Sequence, residues 1–136
     1  MGFKAFRIML CLEVLLLFIQ FWLGMYVNLF VNLPLYKAQD FSSYAGGQEV
    51  IVHIAVGVLI FLLAGLILSY GSRLKKLQVN LLGTFGVVFV ILAPLTGATF
   101  LFRDQDNVLS MAMAINFLLA FTVYLAIFYL ADKLKS

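Results

Sequence analysis

Apolar residues run almost without interruption through four stretches of the chain, at roughly 6–32, 50–70, 79–102 and 108–131. The polar residues gather between them. Each stretch holds about 20 residues or more, enough at 1.5 Å per residue to cross a hydrocarbon core of ~30 Å as a helix. A membrane barrel would read instead as segments of about ten residues with alternating polarity, and no such segment is seen. The first polar connection is long and carries the breakers Pro34 and Gly46-Gly47. The other two are short and force neighbouring helices to run antiparallel. The pattern therefore predicts an all-α membrane protein, a four-transmembrane-helix up-down-up-down bundle, forming a single domain over 1–136. The first stretch, preceded by Lys4 and Arg7, imitates a signal peptide. Its apolar run is too long for one and no small-x-small cleavage site follows, so it reads as a helix that tilts or projects from the membrane.

Composition supports this reading. Of 136 residues 65% are hydrophobic and 11% charged, against about 45–50% and about 25% in soluble domains. A chain this small has too little interior to hide the excess, so its partner is the lipid bilayer. The formal net charge of +3 does not point to nucleic acid, because the basic residues lie on no single folded face. They sort by membrane side. Lys4, Arg7, Arg73, Lys75, Lys76, Lys133 and Lys135 fall on one side, Lys37 and Arg103 on the other. The positive-inside rule then places both termini in the cytoplasm, with the cytoplasmic membrane of a prokaryote as the expected location. The lone cysteine, Cys11, excludes an intramolecular disulfide and a Cys-based metal motif. It is expected to be a buried, inert thiol.

Polar and small residues mark the faces expected to look inward. In the first helix Gln20, Gly24, Asn28 and Asn32 are spaced by four and form a stripe, while Glu13 is expected to snorkel or pair with a basic residue near the cytoplasmic end. His53, Gly57 and Ala64 share a face of the second helix. Gly86, Ala93 and Gly97 share one of the third, where Pro94 should distort the helix and Thr96 and Thr99 can bond freed carbonyls. The fourth aligns Met113, Asn116, Ala120 and Tyr124, with Ser110 and Met111 near its start. His53 lies about one turn, on the order of 5 Å, inside the outer end of its helix. Asn28, Thr96, Thr99, Ser110, Met111 and Met113 fall at a similar depth. That layer is the expected binding site.

His53 is the sole histidine. One imidazole cannot build a zinc site, which takes three or four ligands. Haem supplies four nitrogens of its own and asks the protein for one or two axial ligands, and methionine can be the second. Met111 and Met113 are the candidates; alternatively a homodimer supplies two His53. In the plainer reading His53 only hydrogen-bonds Asn28, Thr96 or Glu49, and both readings stand at this point. No nucleophile–base pair, carboxylate pair or phosphate-binding loop is read in the sequence, so no catalytic residue is assigned and the reading leans away from an enzyme without deciding it.

The stretch "QFWLGMYVNLFVNLP", from Gln20 to Pro34, resembles the first helix of a four-helix half of haem A synthase, which has a Q-x-x-x-G opening and a proline-containing outer loop. Gln20 and Gly24 match. Glu49 and His53 are similar to that family's acidic residue and haem-ligating histidine, and "LAPLTGATFLF" is similar to its third helix. Glu49 stands further from His53 than in the family pattern, Ile54 replaces an arginine, and "SMAMAIN" stands where the family has its fourth-helix histidine. The helix pattern equally resembles small four-helix membrane proteins of no assigned activity. The resemblance adds to the haem reading of His53. That reading has haem b held by His53, with Met111 or Met113 as second ligand, Gly24, Gly57 and Gly97 making room, and electron transfer with a quinone or a membrane redox complex as the expected role. The alternative is a cofactor-free accessory subunit of a larger complex that binds a small ligand or lipid.

Overall fold

The structure, a computed structural model, describes residues 3–33, 40–102 and 106–133. Pro34, Lys37, Arg103, Asp104 and Lys135 lie outside the described residues. Four helices make up the fold: α1 Phe3–Phe30, α2 Gly47–Arg73, α3 Leu77–Phe102 and α4 Asn107–Lys133. All four are long and apolar enough to span a membrane, and the chain is an integral membrane four-helix bundle. At 26 to 28 residues each, they mostly extend past the apolar runs. Only α1 stops short, at Phe30 rather than at 32. α3 continues unbroken through Pro94.

Each helix packs against its neighbours in sequence, and α1 also packs against α4. The bundle is thus a square in which α1 faces α3 and α2 faces α4 across the axis. The α2–α3 turn, the start of α1 and the end of α4 share one end of the square, here the terminal end; the other is the distal end. α2 begins at the distal end on Gly46, whose φ of 91° lies in the left-handed region. A Cβ there would also sit 2.7 Å from Val31, and one on Gly47 would collide with the Phe41 carbonyl oxygen. Only the glycine pair lets the loop turn so tightly into the helix.

The buried positions follow one rule. In α1 the inward residues are Phe6, Leu10, Glu13, Leu17, Gln20, Gly24 and Val27, in steps of four and three. In α2 they are Val50, His53, Gly57, Ile60, Ala64, Ile67 and Gly71, in steps of three and four. α3 (Val79, Gly83, Gly86, Val90, Ala93, Gly97) and α4 (Met113, Phe117, Ala120, Tyr124, Ile127, Ala131) keep the same rhythm. This is the 3.5-residue seam of left-handed helix packing. Close pairs fix its register: Gly24 on His53, Gly71 on Val79, Gly83 on Leu68, Gly86 on Tyr124, Gly97 on Met113, and Phe21 stacked on Phe117. Small residues rather than apolar ones define the seam, because the outer surface is equally apolar. Leu15, Phe18, Trp22, Leu62, Leu66 and Leu118 are among the exposed side chains, and these face lipid.

Gly65 lies on that outer surface with no atom within 4 Å of a Cβ built there. Gly65→Ala is expected to leave stability unchanged or to raise it by up to about 1 kcal/mol, the helix-propensity difference. The check is the denaturation midpoint in detergent; a clear loss would mean that another chain covers this face.

Candidate functional site

Because α2 begins at Gly47, His53 lies about 9 Å along it, deeper than the apolar run indicates. Its imidazole is seated against α1. A Cβ on Gly24 would come within 3.1 Å of the ring carbon Cε1, so the missing side chain is the ring's space. Gln20 Nε2 lies 3.3 Å from His53 Nε2. That amide in turn lies over Gly57, where a Cβ would stand 3.2 Å from Gln20 Nε2. Gln20, Gly24, His53 and Gly57 therefore interlock as two glycines covered by two polar side chains. His53 Nδ1 and Gln20 Oε1 are buried without a hydrogen-bond partner among the described residues.

On the opposite corner, a Cβ on Gly97 would stand 3.0 Å from Met113 Sδ. The register places Gly24, His53, Gly97 and Met113 in one layer. His53 and Met113 stand on one diagonal of the square, and the two glycines on the other. The next layer inward holds Gln20, Gly57, Ala93 and Phe117, with Phe117 stacked on Phe21 at 5.1 Å between ring centroids.

Other residues expected in this layer are elsewhere. Met111 is 59% exposed on the outer surface, two residues from Met113 and therefore roughly half a turn away. Asn28 is exposed too, its Oδ1 accepting from Ser110 Oγ at 3.3 Å between the distal ends of α1 and α4. A stripe of four-residue steps overshoots a turn by about 40° each time, so Gln20 and Gly24 face the axis while Asn28 and Asn32 have rotated out. Thr96 Oγ1 donates to the carbonyls of Leu92 and Ala93, and Thr99 Oγ1 to that of Leu95. These hydroxyls are absorbed by their own helix, and neither meets the carbonyl of Val90 that Pro94 frees. His53 pairs with none of Asn28, Thr96 or Glu49. Its partner is Gln20, a residue the stripe contained but to which no role was assigned.

A second polar layer lies nearer the terminal end. Glu13 is 0% exposed, and neither carboxyl oxygen has a hydrogen-bond partner among the described residues. It does not snorkel, because position 13 is on the seam: Glu13, Gln20 and Gly24 stand at i, i+7 and i+11, the spacing that keeps one face. That spacing was the available signal. In the same layer, on the adjacent helix α4, stands Tyr124, also 0% exposed and with a hydroxyl that has no hydrogen-bond partner among the described residues. Its ring rests on Gly86, and Ala64 completes the layer.

Cys11 is exposed rather than buried, on the lipid-facing side of α1. Among the described residues no three His, Cys, Asp or Glu side chains group as metal ligands. Surface recesses at the terminal end, one lined by Lys4, Arg7, Cys11 and Phe128, are remote from His53. No protein-family model, characterised protein or solved structure matches this chain.

Proposed function

We propose that the bundle binds one b-type haem in its distal half, with His53 and Met113 as axial ligands, and that it carries electrons within the membrane. One observation carries this reading: a histidine and a methionine share a layer on diagonally opposed helices, and each of the other two helices offers a glycine in that layer. Imidazole and thioether are both iron ligands, and the pair gives a higher reduction potential than two histidines. The faces of Gly24 and Gly97 are occupied by the His53 ring and Met113 Sδ, so a haem would enter by turning both side chains off their glycines. Val27, Val50 and Phe117 supply apolar surface above and below. Gln20 is the polar group against the imidazole, its amide N–H2 facing His53 Nε2; for Nδ1 to ligate iron that amide would turn to accept from Nε2–H through Oε1, as outer partners of ligating histidines do. A membrane quinone or a membrane redox complex is the electron partner in this reading.

The test is an absorption spectrum of protein purified after haem-replete expression. A Soret band is expected, lost in His53→Ala. Met113→Ala should keep haem but lower the midpoint potential, while Met111→Ala should leave the spectrum as in the wild type. Colourless protein, or a spectrum indifferent to His53→Ala, overturns the reading. The Gln20–His53 contact and the two filled glycine surfaces then favour the second reading, a cofactor-free accessory subunit whose distal layer is already closed.

A further inference from the structure

The haem reading leaves the terminal end of the bundle unused. Lys4, Arg7, Ile8 and Cys11 stand at i, i+3, i+4 and i+7 of α1 and so share one face. With Phe3, and with Phe128 of α4, they line an open recess of about 430 Å³. Ile8 and Cys11 are exposed on its lipid side. The lining is graded by depth. The apolar run of α1 begins at about residue 6, between Lys4 and Arg7, so the two cations stand at the level of the lipid head groups. Cys11 lies about 10 Å further along the helix than Lys4, and Phe128 is more than a turn inside the end of α4. Arg7 sits with its guanidinium carbon over the Phe128 ring, 5.5 Å from the centroid. That contact anchors the guanidinium at the recess, and its planar fork suits a phosphate through two parallel hydrogen bonds. The surrounding charge has the same sign. Arg73, Lys75, Lys76 and Lys133 also lie at the terminal end, where the sequence sets one acid, Asp132, against them.

We propose that this recess binds an anionic phospholipid, with Lys4 and Arg7 on the head-group phosphate and one acyl chain running along Ile8, Cys11 and Phe128. The lining passes from charged to apolar in the order in which such a lipid passes from phosphate to chain, and basic pockets between membrane helices bind acidic head groups. A zwitterionic lipid offers the same phosphate but sets a quaternary ammonium beside two cations, so phosphatidylcholine is the weaker ligand. A free phosphate lacks the chain that would cover the apolar wall. A second recess at the same end, of about 280 Å³, is lined by Lys76, Leu77, Gln78, Val79 and Leu130. It has a single cation and serves as the internal comparison. The inference does not depend on haem.

Native mass spectrometry of the full chain in detergent tests it, with dioleoylphosphatidylglycerol and dioleoylphosphatidylcholine supplied in equal amounts as probes. Phosphatidylglycerol is expected to stay bound in preference to phosphatidylcholine. Lys4→Gln and Arg7→Gln should each reduce that preference about fivefold, the share of one cation near a lipid surface, while Lys76→Gln leaves it unchanged. Arg7→Lys should fall between Arg7→Gln and the wild type, because it keeps the charge and loses the fork. Cys11→Trp fills the apolar wall and should weaken retention of phosphatidylglycerol with no change in charge. A wild type without preference overturns the proposal, and so does an equal loss in Lys76→Gln, which would mean diffuse surface charge. Retention indifferent to Cys11→Trp, or displacement of the lipid by inorganic phosphate, would reduce the site to its phosphate and likewise overturns it. Should Arg7→Gln fail to fold for want of its contact with Phe128, Lys4→Gln decides, since Lys4 is exposed.

Discussion

Gly86→Leu is expected to abolish folding of the bundle, and Gly86→Ala to cost it about 1–3 kcal/mol, the usual range for overpacking a filled interior. A Cβ at position 86 would stand 2.8 Å from Cζ of Tyr124 and 3.0 Å from its Cε2 and hydroxyl oxygen. The obstacle is a rigid ring that is fully buried, so either the ring or α3 must move. Gly57→Ala meets only the tip of Gln20, at 3.2 Å. A flexible side chain yields more cheaply, and the expected loss is below about 1 kcal/mol. Denaturation midpoints in detergent rank the variants. Tyr124→Leu should relieve part of the Gly86→Ala defect, with a coupling of about 0.5–3 kcal/mol in a double-mutant cycle. Tyr124→Phe should not, because the ring carbons that collide remain. A Gly86→Ala protein as stable as the wild type would mean that α3 and α4 stand further apart than the structure has them.

That contact was only half legible in the sequence, and the reason is physical. The four spans are readable because lipid selects long apolar runs, and the lengths and connections then dictate the up-and-down bundle. Which side of each helix faces its neighbours is harder to read, since lipid tails are as apolar as leucine and both sides of a helix look alike. Met111 and Met113 show the difficulty. They lie at nearly the same depth, yet Met111 is exposed and Met113 is seated on Gly97. Depth alone cannot separate two residues pointing in nearly opposite directions. Asn28 and Gln20 show the same ambiguity in reverse. Both belong to a stripe of four-residue steps, but only Gln20 is also on the seven-residue repeat that the packing keeps. Glu13 is on that repeat as well, although a carboxylate so near Lys4 and Arg7 has the signature of a side chain that pairs at the basic end.

Glu13→Leu should make the bundle more stable by about 1–3 kcal/mol, the penalty for a buried polar group without a partner. Glu13→Lys should lower it by about 3 kcal/mol, as for a lysine near the middle of a membrane helix. The first expectation follows from Glu13 being fully buried with both oxygens unpartnered, and from its seam neighbours Leu10 and Leu17 being leucines already. Leucine carries no polar atom and leaves nothing to satisfy. The second follows because no anion faces position 13 from Ala64, Gly86 or Tyr124, so an ammonium there would have to reach the terminal end through two packed layers. Denaturation midpoints in detergent at neutral pH measure both, and Glu13→Gln, which keeps the shape and removes only the exchangeable acid, should lie close to the wild type. If Glu13→Leu is instead destabilising by several kcal/mol, the carboxyl is making strong hydrogen bonds. If it stabilises as expected, the glutamate lowers the stability of the fold it sits in.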